Sequence, residues 1–466
     1  MRAESGPYLV ADILAACQGT LLSGDLQTAF QAISTDSRNI KNNDLFVPLK
    51  GTNFDGHEFL FPALEAGARG CLVDREVNRE IYKNLSNHVL IQVQDTLLAL
   101  SDLASAHRNK HPVPLVAVTG SSGKTTVKEM IAAVLSRSHH PLVSQGNLNN
   151  MIGLPMTVLN LGSQHSVAVV EAGINRSGEM DWLARAASPD VAVITTIGPV
   201  HLEGLGSIEN VAKEKFKLVR KVPPGGTAVV PAGNPYLDPL LGDSVCSIIT
   251  FGLEQGDFRA ENIRYGAETT FEMKGPSGSR EIRLQIPGRH NVANALAAAA
   301  ACWATGVESN DLSYALSRFS PPAWRMEILP LRGNRILIRD CYNANPQSVK
   351  AALEVLVRRR VGSKTLAILA DMAELGDQTA RFHQEVGKEA ALLGIDRLIF
   401  VGANGGYVAD GYVSAGGDAK AVTLAADKDS AWKVIDQDLE DFGIILVKGS
   451  RIMKMETVAD RILEER

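Results

Sequence analysis

Short apolar runs alternate with longer segments in which apolar residues return every three or four positions, and this rhythm persists through most of the chain. Runs at 115–119, 167–170, 191–196 and 228–231 read as strands, because consecutive apolar residues ended by turn signals suit a strand covered on both faces. The segment after Gly123 places Val127, Met130, Ile131, Val134 and Leu135 on one side of a helix. Strand and helix in alternation predict a mainly parallel sheet with helices packed on it. The rhythm returns with strand runs at 336–338, 366–369, 397–401 and 444–447, which predict a second, smaller doubly wound sheet. Ahead of both lie runs at 45–49, 71–73 and 89–91, punctuated by Asn42-Asn43-Asp44 and Asp55-Gly56, and then a helical stretch at 96–107.

These textures divide the chain. The expected fold is α/β in three domains: a small mixed α/β N-terminal domain over 1–92, a central P-loop-type, mainly parallel sheet with helices over 93–326, and a C-terminal Rossmann-like doubly wound domain over 327–466. The length of 466 residues agrees, at about 150 residues per domain. Pro112 and Pro114 stand near the first boundary, and Pro321-Pro322 near the second.

Composition narrows the class. With 45% apolar and 21% charged residues the chain is neither disordered nor fibrous. A net charge of −5 argues against a surface built to grip nucleic acid. The longest apolar stretch, 292–307, is broken by Asn294 and Thr305 and reads as an Ala-rich buried helix rather than a membrane span. Glu4 and Asp12 make the N-terminus unlike a secretory signal. The cysteines at 17, 71, 246, 302 and 341 are too scattered for a zinc site and read as reduced thiols of a cytoplasmic enzyme.

The strongest chemical signal is Gly120-Ser121-Ser122-Gly123-Lys124-Thr125-Thr126, placed between a strand and a helix. The backbone N–H groups of such a loop cradle phosphate oxygens, a lysine neutralises the β/γ-phosphates and a threonine hydroxyl reaches Mg²⁺. Val118 stands where the longer form of this motif has its first glycine. Glu171 ends the strand at 167–170, where an acid is either a hard-cation ligand or a helix cap. His201 lies beyond the next strand, as a ligand, a phosphate contact or a structural residue. Lys213, Lys215 and Lys217 follow on a helix, where a solvated basic face is the plain alternative. Asn291 and Asn294 share a helix face and could read a base, or Asn291 could cap the helix. In the last stretch Asp340 to Asn345, Asp371, and Lys448 with Arg451 all follow strands of one sheet, at the edge that faces a ligand crevice. The two cations suit a carboxylate or phosphate.

In this order, the 120–126 loop, Glu171, His201 with its downstream lysines, His290-Asn291, Arg325 and Asp340 resemble the Mur ligase family of peptidoglycan synthesis. Gly146-Asn147-Leu148-Asn149-Asn150, Tyr342 to Pro346, Asp371-Met372-Ala373-Glu374-Leu375-Gly376 and Ser34 to Arg38 resemble those members that add D-alanyl-D-alanine. The resemblance spans nearly the whole chain. It implies an ATP- and Mg²⁺-dependent ligase, cytoplasmic and monomeric, that joins D-alanyl-D-alanine to UDP-N-acetylmuramoyl-tripeptide through an acyl phosphate. The product would serve cell-wall synthesis, cell shape and division. By resemblance, the 120–126 loop with Asn291, Asn294, Arg325 and Asp340 holds ATP, and Thr125, Glu171, His201 and a carbamylated Lys215 hold magnesium. Lys124, Glu171, His201 and Lys215 are the implied catalytic set. Ser34, Arg38, Lys50, Asp55 and His57 resemble uridine-diphosphate contacts, and Asn147, Asn149 and Asn150 contacts to the muramoyl peptide. Asn343, Asn345, Asp371, Lys448 and Arg451 fall to the dipeptide. Arg339 and Ala370 depart from the usual pattern, each beside a motif residue.

Two other readings fit the same phosphate loop. One is a ligase of this superfamily that adds a single amino acid, including a folylpolyglutamate synthase, which lacks the separate first domain. The other is an ATPase switch that hydrolyses ATP without an acceptor.

Overall fold

The computed structural model describes residues 1–51, 53–74, 87–266, 268–306, 309–360 and 362–464. Three principal sheets follow one another along the chain, with six, nine and six strands.

The nine-stranded sheet runs in the order Pro141–Val143, Val167–Glu171, Leu115–Thr119, Val191–Ile194, Thr227–Pro231, Ser247–Gly252, Phe258–Tyr265, Thr269–Gly275 and Gly278–Leu284. Pairings are parallel as far as Phe258–Tyr265, and the last two strands are antiparallel. Leu115–Thr119, Val167–Glu171 and Val191–Ile194 are wholly buried, which is why they read as unbroken apolar runs. Helices Lys124–Leu135 and Arg289–Ala304 pack together over one face, with Val127, Ile131, Val292 and Leu296 in that core. Thr96–Lys110, Glu179–Ala187 and Ile208–Arg220 cover the other. Strand order reverses at Leu115–Thr119, whose parallel neighbours lie on either side, so the loops leaving these three strands open into one crevice.

In the C-terminal sheet Glu327–Leu331 is antiparallel to Arg335–Arg339, and Phe442–Lys448, Lys364–Ala370, Arg397–Val401 and Val422–Ala425 follow in parallel. Helices lie on both faces, so the doubly wound expectation holds: Val349, Leu353, Phe382 and Val386 fill one core, and Ala431, Ile435, Val458 and Ile462 the other. Arg339, the departure from the family pattern, is ion-paired to Glu327 on the adjacent strand at 2.8 Å and to Asp460 at 2.7 Å.

The first sheet is mixed, ordered Arg2–Ala3, Ala32–Ser34, Asp44–Phe46, Ala68–Val73, Val89–Gln92 and Thr20–Ser23. It is tied to the central unit at one corner. There the Tyr8 hydroxyl donates to the Leu159 carbonyl at 2.7 Å, Ser5 Oγ to the Asn160 carbonyl at 2.9 Å, and the Tyr8 ring lies 5.4 Å from that of His107.

Several boundaries differ from the sequence reading. The run at 45–49 is a strand only in Asp44–Phe46, because Pro48 has no N–H to carry the ladder on. The run at 191–196 ends at Ile194, where Thr195 turns its hydroxyl to the Ser122 carbonyl. The helix expected at 96–107 extends to Lys110. The hairpins over 258–284 were absent from the strand runs; their alternating polar positions face solvent. The five cysteines are free, and no helix among the described residues is long and apolar enough to cross a membrane.

Candidate active site

The phosphate loop sits at the switch point of the central sheet. Gly123 is the N-cap of helix Lys124–Leu135 at φ +81°, and a Cβ there would lie 2.5 Å from Asn294 Oδ1. Gly120, at φ +149°, has no room for a Cβ against Thr195. Ser121 Oγ donates to the Gly198 carbonyl at 3.1 Å and accepts from its N–H at 2.9 Å, bracing the loop against the 195–200 segment. Lys124 Nζ rests on the Gly120 carbonyl at 3.0 Å, inside the cradle that the loop makes. Burial pulls its pKa down, opposed by Glu171.

Glu171 is held at both oxygens. Thr125 Oγ1 donates to Oε2 at 2.7 Å and Asn149 Nδ2 to Oε1 at 2.7 Å, while its own N–H donates to Ser144 Oγ at 2.9 Å. Behind them, the wholly buried Lys128 donates from Nζ to the Ser144 carbonyl at 2.5 Å. Asn149, expected at the muramoyl peptide, is thus turned onto Glu171. Arg325 Nη2 donates to Thr125 Oγ1 at 2.9 Å, and its guanidinium lies 4.0 Å from the centre of the Tyr342 ring.

The three lysines of helix Ile208–Arg220 separate clearly. Lys213 is exposed, and Lys217 is paired with Asp181 at 2.7 Å and Glu214 at 2.8 Å. Lys215 is wholly buried, and its Nζ has no hydrogen-bond partner. Burial, reinforced by the charge of Lys124, drives its pKa well below the ordinary lysine value, with Glu171 and Glu214 opposing. An amine buried this completely without a partner is disfavoured in its charged form. Among the described residues no three His, Cys, Asp or Glu side chains converge into a metal cage. The donors that do meet, the Thr125 hydroxyl and the Glu171 carboxylate, are hard oxygens. They fit magnesium, which takes one or two carboxylates and completes its shell with water and phosphate.

A cleft of about 1200 Å³ joins these groups to the third sheet; Lys124, Glu171, His201, Asn294, Asp340 and Arg451 are among its walls. His201 Nδ1 meets the Glu374 carboxylate across it at 2.5 Å. In the sequence Glu374 stands only as part of the 371–376 motif; its partner lies far away in the chain, so spacing gives no signal. Helix Arg289–Ala304 is capped by Gly288, not Asn291. Asn291 Nδ2 donates to the Pro287 carbonyl at 2.7 Å, and Asn294 Nδ2 to Asn291 Oδ1 at 3.0 Å, which aims Asn294 Oδ1 at Gly123. In the sequence His290 stands out only through its motif with Asn291. It lines the cleft, and burial lowers its pKa to about 4, leaving the imidazole neutral.

The third-sheet cluster is less free than its charges suggested. Lys448 is buried and donates to Asp340 Oδ2 at 2.7 Å and the Asn343 carbonyl at 2.9 Å, so its charge is already matched. Arg451 pairs with Glu456 at 2.8 Å while its guanidinium lies 5.0 Å from the Trp324 ring, and it keeps a place on the cleft wall. Asp371 is not brought to the cleft. Its carboxylate accepts from the N–H groups of Ala403 at 2.9 Å and Asn404 at 3.1 Å, and from Asn404 Nδ2 at 3.0 Å. Asn345 caps helix Pro346–Arg358 and reaches the Ser121 carbonyl at 3.3 Å, and Gln347 reaches that of Ile197 at 3.2 Å.

Ser34, Arg38, Lys50, Asp55 and His57 lie off this cleft, Ser34 at the end of a strand of the first sheet and the others in the turns beside it. Ser34 Oγ is taken up by the carbonyls of Met1 at 3.2 Å and Asp36 at 3.1 Å, and Arg38 forks onto Asp36 at 2.9 Å. Lys50 bridges Asp55 through the backbone. His57 is buried between Asp55 at 2.8 Å and Asp74 at 3.1 Å. Asn147 and Asn150 line the cleft with Asn149.

Three family models match along the chain: the Mur ligase family catalytic domain over 29–108, the Mur ligase middle domain over 118–302, and the Mur ligase glutamate ligase domain over 324–451. The UDP-N-acetylmuramoyl-tripeptide–D-alanyl-D-alanine ligase of Bacillus subtilis is 35% identical over 458 residues, spanning 98% of each chain. The chain belongs to the Mur ligase family. Among solved structures, this Mur ligase superposes on MurF from Acinetobacter baumannii with a TM-score of 0.90 and 32% identity, over 99% of this chain and 100% of that one. MurF ligase from Thermotoga maritima, solved in complex with ADP, gives a TM-score of 0.82 at 25% identity, over 93% of this chain and 97% of that one.

Proposed function

We propose that this Mur ligase joins D-alanyl-D-alanine to UDP-N-acetylmuramoyl-tripeptide at the expense of ATP, yielding the UDP-muramoyl-pentapeptide precursor of peptidoglycan. The observation that carries the reading is the end-to-end relation to the Bacillus subtilis ligase, 35% identity over 98% of each chain. The cleft chemistry supports it.

The terminal carboxylate of the tripeptide attacks the γ-phosphorus of ATP, the bond to the β-γ bridging oxygen breaks, and ADP leaves an acyl phosphate. The amine of D-alanyl-D-alanine attacks the acyl carbon, a tetrahedral intermediate collapses, and phosphate departs as the amide forms. Reaction of this kind needs alignment and charge neutralisation more than covalent help from the protein. The loop N–H groups and the N-terminus of helix Lys124–Leu135 hold the phosphates, and Lys124 exchanges the Gly120 carbonyl for the β/γ-phosphates. Thr125 and Glu171 would hold Mg²⁺, with His201 and a carbamylated Lys215 at a second ion; bound there, magnesium neutralises the oxygens between which the phosphoryl group passes. In its unprotonated form, which burial favours, the Lys215 amine adds to CO₂, forming an N–C bond and losing a proton, which turns an unmatched base into an anion suited to a cation. Asn294 and Asn291 face the base, Arg325 the phosphates, and Asp340 the ribose. The first domain (1–92) holds the uridine diphosphate, the central one (93–326) ATP, and the last (327–466) the dipeptide, with Arg451 as the cation for its carboxylate. The enzyme works in the cytoplasm as a monomer.

Phosphate release should require UDP-muramoyl-tripeptide and D-alanyl-D-alanine together, with the pentapeptide product identified by mass. Release with single amino acids instead would move the protein to a sister ligase, and release without any acceptor would make it an ATPase switch.

A further inference from the structure

Two residues in left-handed backbone meet across the cleft: His201 at φ +52° and Glu374 at φ +63°. Neither is glycine, so each holds a conformation that costs about 1 kcal/mol or more and persists only where its surroundings impose it. The surroundings are each other. Glu203 N–H donates to the Glu374 carbonyl at 3.4 Å, and a Cβ on Gly376 would lie 3.4 Å from the Glu203 backbone. The 373–376 turn of the third sheet is therefore seated on the 201–203 turn of the central one. At its centre His201 Nδ1 lies 2.5 Å from Glu374 Oε2. A carboxylate oxygen accepts, so the proton of this contact sits on Nδ1, and in the neutral ring Nε2 is then the acceptor.

Resting on the functional reading above, we propose that Glu374 is a positioning residue: carried by the C-terminal domain, it fixes the Nδ1–H tautomer and the orientation of His201, so that this ring is ready for a cation only when that domain is seated on the phosphate-loop side of the cleft. The same seating brings Asn345 to the Ser121 carbonyl and Gln347 to that of Ile197. The domain that supplies the acceptor dipeptide thereby prepares the ATP site, and the carboxylate is not activated before its acceptor is in reach. Carboxylate partners of this kind are worth about 10–100-fold in metal affinity or activity.

The test uses the full chain with ¹⁵N-labelled histidine, free of metal and nucleotide, and reads the ring nitrogens by NMR; His201→Gln identifies the resonances by their loss. Wild type should show His201 as the Nδ1–H tautomer, Glu374→Gln, which keeps an acceptor oxygen, should retain it, and Glu374→Ala should give a mixture. In turnover, Glu374→Ala should lower kcat about 10–100-fold and raise the Mg²⁺ requirement, Glu374→Gln should fall between, and the KM for UDP-muramoyl-tripeptide should hold. An Nε2–H ring in wild type, or an unchanged ring and unchanged kcat in Glu374→Ala, overturns the proposal. A wild-type enzyme that makes no pentapeptide overturns the functional reading instead, and the two failures are separate observations.

Discussion

Replacing Lys215 by methionine should make the protein more stable and nearly inactive. The side chain is wholly buried, and its amine has no hydrogen-bond partner. Leaving such a group unpaired costs about 1–3 kcal/mol, and the nearby charge of Lys124 adds to the cost of protonating it. Methionine has a similar length and volume and brings no polar atom, so repacking should cost less than about 1.5 kcal/mol. In bicarbonate-free buffer without nucleotide, Lys215→Met should therefore gain about 1–2 kcal/mol over wild type, read from denaturant midpoints at unchanged slope. Turnover should drop by about 10²–10³, the usual cost of losing one fixed electrostatic group at a phosphoryl-transfer site. Bicarbonate should raise both activity and stability of wild type and leave the variant untouched. A variant less stable than wild type, or one that turns over within about tenfold of it, would refute the argument that an unmatched amine is held there for carbamylation.

Gly123→Ala should cost about 1–3 kcal/mol in the unfolding of the central domain, from left-handed strain at φ +81° plus displacement of Asn294; calorimetry of a double variant with Asn294→Ala should show recovery of about 1 kcal/mol. Lys448→Met strands the Asp340 carboxylate and should destabilise the C-terminal domain by about 2–4 kcal/mol, with most of the loss recovered when Asp340→Asn is added; an unchanged melting profile would count against the pair. His107 is buried with its pKa lowered to about 4 from an ordinary 6.5, so the unfolded chain binds its proton first as pH falls. Urea midpoints should show His107→Gln losing about 2–3 kcal/mol less than wild type between pH 7 and 4.5; equal losses would count against a buried neutral His107.

Much of the site could be read from the chain because the relevant signals are local. A phosphate loop needs its glycines, lysine and threonine within a few residues of a buried strand, and Leu115–Thr119 lies where the apolar run put it. Glu171 and His201 follow neighbouring strands of the same sheet, so one topological argument gathers all three. What escaped was pairing over long separations. Nothing near Lys448 announces that Asp340 consumes its charge, and nothing near Asp371 announces Asn404. Among Lys213, Lys215 and Lys217 the resemblance singles out Lys215, and the rotation of helix Ile208–Arg220 buries that one. The hairpins over 258–284 alternate polar and apolar residues on a half-exposed surface, and so looked unlike the covered strands beside them.

The third domain grips the phosphate-loop side largely by its main chain. Asn345 and Gln347 both end on carbonyl oxygens, those of Ser121 and Ile197, and Glu374 returns its own carbonyl to the N–H of Glu203. A handshake made with the main chain is indifferent to which side chains decorate the loop. Residues such as Ser122 can therefore drift without loosening the joint, and a loop grafted from a distant relative should still be received, provided its path is kept. The Glu374–His201 contact is the exception: it joins two side chains, and substitution on one side should leave its mark on the other.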